Sequence, residues 1–347
     1  MKLGIITDTH YNFKKANKNF HDYFAKFYNE TFFPRLKKEK IKTVIHMGDA
    51  FDNRKGIDYW ALEWAKENVY DKFQELGITV YNIVGNHDVY YKNTNRINSI
   101  DLLLNQYENV IPVSSPLEVT FDGLDTLLLP WICNENQEEV FNLLKDTEAK
   151  VIFGHLELNG FSVFPGQVQK GGLDKKIFDK FDRVYSGHYH TRSDDGKVFY
   201  LGNPYQMFWN DYGDDRGFNI FDTKTYKTTF CKNPFNIFEK VYYQDSDISE
   251  IEDINFTDKI VKIVIRKNNK QKEFDKYLNF ITNFNPLEVK VIDMMDIDDT
   301  FVEYSDTEIE DTMTILNKYI EDSDFEFDKN KVKSIVGEVY KQALELE

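Results

Sequence analysis

Thr79-Val80-Tyr81-Asn82-Ile83-Val84 runs straight into Gly85-Asn86-His87-Asp88, and Thr43-Val44-Ile45-His46-Met47 runs in the same way into Gly48-Asp49-Ala50-Phe51-Asp52. Each is a short, mostly apolar run of strand length that stops at a glycine and is followed by side chains able to hold a metal. Three more runs end in metal-capable side chains, two of them behind a glycine. Leu3–Thr7 closes on Asp8-Thr9-His10, Val151–Phe153 on Gly154-His155, and Val184–Ser186 on Gly187-His188-Tyr189-His190. Glycine lets the backbone turn sharply at a strand end, so the next side chain faces into a common site. Ligand-rich loops at the carboxyl ends of strands are where α/β folds build such sites.

No single piece decides the matter. An isolated Gly-His-x-His usually satisfies local hydrogen bonds, and an isolated Asn-His-Asp suits an ordinary turn. Specificity lies in five clusters, each behind its own strand, which together hold five of the seven histidines. His46, inside the second strand, and His21, inside a helical stretch, are read as structural.

Helical patterns separate the strands. Ala16–Lys40 carries Phe20, Phe24, Phe27 and Tyr28 at helical spacing, and Asp58–Leu76 carries Trp60, Trp64 and Phe73. Strand and helix in alternation predict a layered α/β domain with buried sheets. Past Asn233-Pro234 the character changes. Ile260–Ile265 reads as a strand, Lys272–Phe284 as a helix and Leu287–Met294 as a strand. After an acidic turn at Asp296–Thr300, Ile309, Met313, Leu316 and Ile320 form one amphipathic stripe. Val332, Ile335, Val336, Val339, Ala343 and Leu344 form another. Such stripes either fold back on their own domain or dock a partner protein.

The 347 residues allow one large domain and a smaller one. The opening apolar run is too short for a signal peptide or a span, and no later segment reaches the ~20 apolar residues a membrane helix needs. Two cysteines, Cys133 and Cys231, are too few for a disulfide framework or a thiolate cage. A reducing, cytoplasmic setting with no membrane partner is expected.

The net charge of −16 is unevenly spread: from Val241 onward there are 26 Asp and Glu against 13 Lys and Arg, and residues 1–240 hold 33 against 30. The front part tolerates a polyanion, with Asp8 and Asp49 offset by cations if these are metal ligands; the tail does not. This asymmetry predicts chemistry in front and partner contact behind.

The five loops resemble the signature of the calcineurin-like metallophosphoesterases, and in their Gly-Asp-Ala-Phe-Asp and Gly-Asn-His-Asp forms are most similar to the SbcD branch. That branch is the nuclease half of a recombination-repair complex, with the meiotic-recombination-eleven nucleases as eukaryotic members. Phe51-Asp52-Asn53-Arg54-Lys55, and Gly202-Asn203-Pro204-Tyr205 with Arg216-Gly217-Phe218, look most like the recombination exonuclease subunits of T-even phages. The resemblance covers about residues 1–235; beyond that it rests on layout.

It implies a layered metallophosphoesterase β-sandwich flanked by helices, with a nuclease domain over 1–235. A small α/β capping domain would span 236–300 and a helical partner-binding region 301–347. Asp8, His10, Asp49 and His190 would hold one divalent metal; Asp49, Asn86, His155 and His188 would hold the second, Asp49 bridging. Carboxylate, imidazole and amide ligands suit Mn²⁺ or Fe²⁺ without excluding Zn²⁺, and Mg²⁺ is also admissible. The resembling nucleases favour Mn²⁺. His87 would contact the phosphate and assist departure of the sugar oxygen. Asp88 would orient His87 or a neighbouring loop, or act as a turn cap. Asp52 is expected to support a ligand rather than touch substrate. Arg54, Lys55, Lys92 and Arg96 would steer the DNA backbone if they are more than solvated surface charges. Phe161 and Phe164, in the Asn159–Gly172 loop, would stack unpaired bases or simply pack.

The implied activity is two-metal DNA phosphodiester hydrolysis, exonucleolytic and also endonucleolytic on single strands. The implied assembly is a homodimer bound to an SbcC-type ATPase through the terminal helices. Two alternatives stand beside it. One is a phosphatase or nucleotide phosphodiesterase of the same fold, although protein phosphatases typically show Gly-Asn-His-Glu at this place. The other is a scaffold that has lost its chemistry, against which all seven ligand positions are filled.

Overall fold

The computed structural model describes residues 1–164, 167–293, 316, 319–321 and 328–344. Ile309, Met313 and the acidic turn 296–300 lie outside the described residues, as does the side chain of Phe164. Two units are present, Met1–Ile237 and Phe238–Glu347.

In the first unit, strands β1 (Lys2–Ile6), β2 (Thr43–His46), β3 (Thr79–Ile83) and β4 (Val110–Val113) run parallel and adjacent. Strands β5 (Leu117–Phe121), β6 (Leu124–Leu129), β7 (Val151–His155), β10 (Arg183–Gly187), β11 (Ser193–Asp194) and β12 (Val198–Tyr200) build a second sheet, in the order β11-β12-β10-β7-β6-β5. A hairpin of β8 (Ser162–Phe164) and β9 (Gln167–Val168) interrupts that run. Strands β13 (Gly217–Asp222) and β14 (Thr228–Lys232) return to the first sheet, antiparallel on the free side of β1. The result is a mixed α/β unit with two six-stranded sheets.

The sheets face each other over one core. Leu3, Ile5, Ile45, Met47, Ile83 and Val113 of the first meet Leu128, Val151, Phe153 and Tyr185 of the second. Buried on both faces, the parallel strands read as nearly continuous apolar runs, which is why they were legible. On the outer face of the second sheet, Val140 and Leu144 of helix Gln137–Asp146 pack with Leu127, Leu129, Ile152, Val184 and Phe161.

The expected helices Ala16–Lys40 and Asp58–Leu76 form but are not uniform. Helix Lys18–Phe27 passes through a π turn at Tyr28–Phe32 before Phe33–Glu39, and Tyr59–Ala65 through one at Lys66–Tyr70 before Asp71–Glu75. Each π turn adds a residue per hydrogen-bonded ring and re-registers the apolar face beyond it. Both turns carry a tyrosine to the same place: the Tyr28 hydroxyl lies 3.0 Å from that of Tyr11, and the Tyr70 ring lies 6.1 Å from the Tyr11 ring. Asn17 and Asp58 cap the two helices by accepting the N–H groups of Asn19 and Trp60.

The second unit holds three parallel strands, β15 (Phe238–Gln244), β16 (Ile260–Lys267) and β17 (Glu288–Asp293). Phe274, Tyr277 and Ile281 of helix Gln271–Thr282 cover Val241, Tyr243, Val261, Ile263 and Ile265. A further helix spans Lys329–Leu344.

Candidate metal centre

The loops after β1, β2 and β3 of one sheet and after β7 and β10 of the other meet at the carboxyl edges of both sheets. Cross-bonds tie those edges together. The His188 N–H donates to Asp8 Oδ1 at 3.1 Å, the Trp131 N–H to the Val84 carbonyl at 2.8 Å, and His155 Nδ1 to the Met47 carbonyl at 2.8 Å.

The seven expected ligands come together here. Ligand atoms of Asp8, His10 and His190 lie within 4.8 Å of one another, and so do those of Asp49, His155 and His188. His10 Nε2 faces His190 Nε2 at 3.1 Å. Asn86 Oδ1 sits 2.8 Å from both His155 Nε2 and His188 Nδ1. Asp49 lies between the groups, with Oδ2 3.3 Å from His155 Nε2 and 4.0 Å from His10 Nε2. Two imidazole nitrogens facing each other, and buried carboxylates whose neighbours are imidazoles, suit cations: the donors are all oxygen and nitrogen, as borderline divalent metals prefer.

Glycines make the convergence sterically possible, for a reason beyond the turning freedom expected of them. Gly48 does have a positive φ of +97°. Gly85 and Gly187 are needed chiefly for space. A Cβ on Gly85 would stand 2.2 Å from Asp49 Oδ1, and one on Gly187 would stand 2.0 Å from Thr7 Oγ1. Backbone strain collects on the candidate ligands themselves: Asp8 (φ 52°), His10 (44°), Asp49 (53°) and His188 (86°) are all left-handed. Non-glycine residues hold such conformations at roughly 1–3 kcal/mol each, and only where their surroundings over-determine them.

The electrostatics follow from burying acids among imidazoles. Burial opposes charge on His10, but its bond to Asp52 and the charges of Asp52, Asp49 and Asp8 outweigh this and lift it to about 9. Burial likewise opposes charge on His155, and Asp49 and Asp8 raise it to about 9. Asp49 is held well below the usual carboxylate range: desolvation works against it, but His155, His87 and His10 prevail. Burial, aided by the charges of His10 and Arg216, keeps His190 low and neutral.

His87 stands beside these groups, its ring edge-on to His10 with centroids 5.1 Å apart. Its N–H donates to Asp49 Oδ1 at 2.8 Å, and its Nδ1 donates to the Asp52 carbonyl at 2.6 Å. Asp52 thus supports two histidines, since its Oδ1 also lies 3.0 Å from His10 Nδ1.

A family model described as calcineurin-like phosphoesterase matches residues 1–192. This chain belongs to the calcineurin-like phosphoesterases. As a member it is a hydrolase of a family that uses divalent metals. It is 33% identical over 285 residues to exonuclease subunit 1 of Enterobacteria phage T4, a match covering 82% of each chain. Similar solved structures include a novel archaeal phosphodiesterase (16% identity, 67% of this chain and 99% of that one, TM-score 0.35). Another is the calcineurin-like phosphoesterase YfkN of Bacillus subtilis (13% identity, 67% and 88%, TM-score 0.33).

Within this phosphoesterase the remaining expected residues lie around and behind the candidate ligands. Asp88 does not reach the ligand groups. Its buried carboxylate accepts the N–H groups of Gly85 and Asp49 at 2.9 Å, Ala50 at 3.1 Å and Phe51 at 3.2 Å, with the Ser99 hydroxyl at 3.2 Å. It is a clamp on two ligand loops. Arg54 is half-buried and donates from Nε to the Asn86 carbonyl at 2.7 Å, so it holds a ligand loop. Lys55, Lys92 and Arg96 are exposed. Phe161 is buried in the core, 5.0 Å from the Tyr200 ring, and offers no stacking face. His46 is buried beside Thr9 and pushed down to about 3 by burial; His21 stacks on Trp64 at 4.7 Å.

Two residues near the centre, Trp131 and Phe208, escaped sequence reasoning, and Arg216 entered it only within a family motif, with no role assigned. The buried Arg216 donates to the His190 carbonyl and the Asn203 side chain, and pairs with Asp211 at 2.9 Å and Asp214 at 3.0 Å. Three acids within five residues of an arginine were the available signal. Trp131 packs on His188 and His155, and Phe208 on His190. Neither lies beside a ligand in sequence.

Proposed function

We propose that this phosphoesterase is a two-metal DNA exonuclease, with endonuclease action on single strands. It would serve as the nuclease subunit of a recombination, repair or replication complex. The observation that carries the reading is the pair of ligand groups meeting about Asp49 with His87 at their side. For DNA as substrate, the support is the likeness to a phage exonuclease subunit along 82% of both chains.

Asp8, His10, Asp49 and His190 would hold one cation, and Asp49, Asn86, His155 and His188 the other, manganese favoured. Such a pair supplies Lewis-acid stabilisation of phosphoryl oxygens and acidifies a water. The chain's own residues do the rest. His155 keeps its Nδ1 proton on the Met47 carbonyl, which leaves Nε2 as the ligand nitrogen. His87 keeps its Nδ1 proton on the Asp52 carbonyl, so Nε2 is the nitrogen that passes a proton to the departing sugar oxygen. Asp88 and Arg54 hold the loops that present Asp49 and Asn86. Lys55, Lys92 and Arg96 guide the phosphate backbone.

Residues 236–300 would cap the nuclease domain over 1–235. Residues 301–347 would dock on an SbcC-type ATPase, with the nuclease acting as a homodimer. Ile335, on helix Lys329–Leu344, is 55% exposed, which suits a docking face. The acidic tail suits a basic protein surface.

The test is degradation of end-labelled single- and double-stranded DNA by purified protein with Mn²⁺, beside Asp49→Ala and His87→Ala. Activity lost in both variants supports the reading. If bis-nitrophenyl phosphate is cleaved while DNA stays intact, alone and with the ATPase, the substrate is a smaller phosphodiester. Cleavage of neither leaves a scaffold. Deleting 303–347 should abolish ATPase binding and spare hydrolysis of the small substrate; retained binding refutes the docking role.

A further inference from the structure

We propose that Trp131 and Phe208 form a nucleobase-stacking bracket, one ring on each side of the candidate metal centre. This deepens the nuclease reading and rests on it. Trp131 follows β6 at the same sheet edge that carries the ligands. Its ring centroid lies 5.2 Å from that of His188 and 6.1 Å from that of His155. Phe208 lies 6.2 Å from His190, with ring planes 23° apart, and 38% of it is exposed. One aromatic therefore borders the Asp49/His155/His188 group and the other the Asp8/His10/His190 group.

The backbone that carries each ring is fixed by hydrogen bonds. The Trp131 N–H donates to the Val84 carbonyl, and its own carbonyl accepts Asn95 Nδ2 at 2.8 Å and Asn136 Nδ2 at 3.0 Å. The Phe208 N–H donates to Asp211 Oδ2 at 3.0 Å, and its ring packs edge-on against Phe13 at 4.9 Å. Asp211 is fixed in turn by the buried Arg216.

The occupant that fits is an unpaired nucleotide on either side of the scissile phosphate. A phosphate over the centre brings its flanking sugars, and hence their bases, next to whatever borders it. Any base has a π face, so a stacking bracket accepts every sequence while requiring that the bases be unstacked from a duplex. The bracket would therefore select frayed or single-stranded ends without reading their sequence.

The experiment measures inhibition of bis-nitrophenyl phosphate hydrolysis by a short oligothymidylate and by an abasic strand of equal length and charge. This readout does not require the protein to cut DNA, so it is independent of the end-labelled assay. Wild type should bind the base-bearing strand more tightly by about 5- to 150-fold, the span expected for stacking one base. Trp131→Leu and Phe208→Leu, which keep apolar bulk against the histidines, should each shrink that ratio several-fold. Trp131→Phe and Phe208→Tyr should restore most of it. A purely structural role would weaken both strands alike and leave the ratio unchanged. Equal inhibition by the two strands in wild type, or an unchanged ratio in the leucine variants, overturns the proposal.

Discussion

Replacing Asp88 by asparagine tests whether the centre is held from behind. The carboxylate accepts two N–H groups on Oδ2, from Gly85 and Asp49, and two on Oδ1, from Ala50 and Phe51, together with the Ser99 hydroxyl. An amide has one acceptor oxygen, so whichever way it turns, its NH₂ faces two backbone donors. Two hydrogen bonds to a charged acceptor are lost, at roughly 1.5–3 kcal/mol each. Part of this is returned, because burial and the charge of Asp49 push Asp88 up to about 7, and the amide removes that charge. The net loss should be about 3–5 kcal/mol. At roughly 2–4 °C per kcal/mol for a unit of this size, the melting midpoint of metal-free protein should fall by about 6–20 °C. The broken clamp joins the loops that present Asp49 and Asn86, so Mn²⁺ affinity should fall as well, read by calorimetric titration below the new midpoint. A midpoint within about 2 °C of wild type, with unaltered Mn²⁺ affinity, would refute the reasoning, since the two loops would then hold themselves.

Other consequences are as direct. Gly85→Ala and Gly187→Ala place a methyl where Asp49 Oδ1 and Thr7 Oγ1 already stand, and overpacking costs about 1–3 kcal/mol. Both should fold yet lose Mn²⁺ binding by titration; wild-type affinity in either would show the space to be spare. Asp52→Ala should weaken Mn²⁺ binding about 10–100-fold by freeing the His10 ring, as outer partners of metal ligands do. His10 and His155 are raised to about 9 by carboxylates that outweigh their burial. Their contribution to metal-free stability is therefore complete below the unfolded value of about 6.5 and lost as pH rises through about 9. In chelator the midpoint should fall across that window while Mn²⁺ affinity rises, because cations compete with those protons; a flat pair of profiles would contradict it.

Much of the site was legible because chemistry and secondary structure share a period. Strands buried on both faces are mostly apolar, so each ends visibly where the apolar run gives way. At five such ends metal-capable residues follow directly, giving the order Asp8, Asp49, Asn86, His155, His188 without any coordinate. The two central helices were legible from their aromatic spacing, but their π turns were not. A π turn depends on where Tyr11 needs Tyr28 and Tyr70, and that is a tertiary demand.

The sequence by itself determined which residues stand at strand ends, that their side chains are oxygen and nitrogen donors, and that the acidic excess lies behind residue 240. Only the tertiary structure decided what each does there. Asp88 and His87 are neighbours in the chain. Yet one carboxylate turns back to hold four backbone N–H groups, and the other ring stands beside His10. Gly85 and Gly187 are required by side chains from other strands, Asp49 and Thr7, which no local pattern reveals. Trp131, Phe208 and Arg216 reach the centre from segments far from the ligands they touch. Periodicity reports the face a residue shares with its sequence neighbours, whereas facing two sheets across a core fixes contacts between residues that are not neighbours at all.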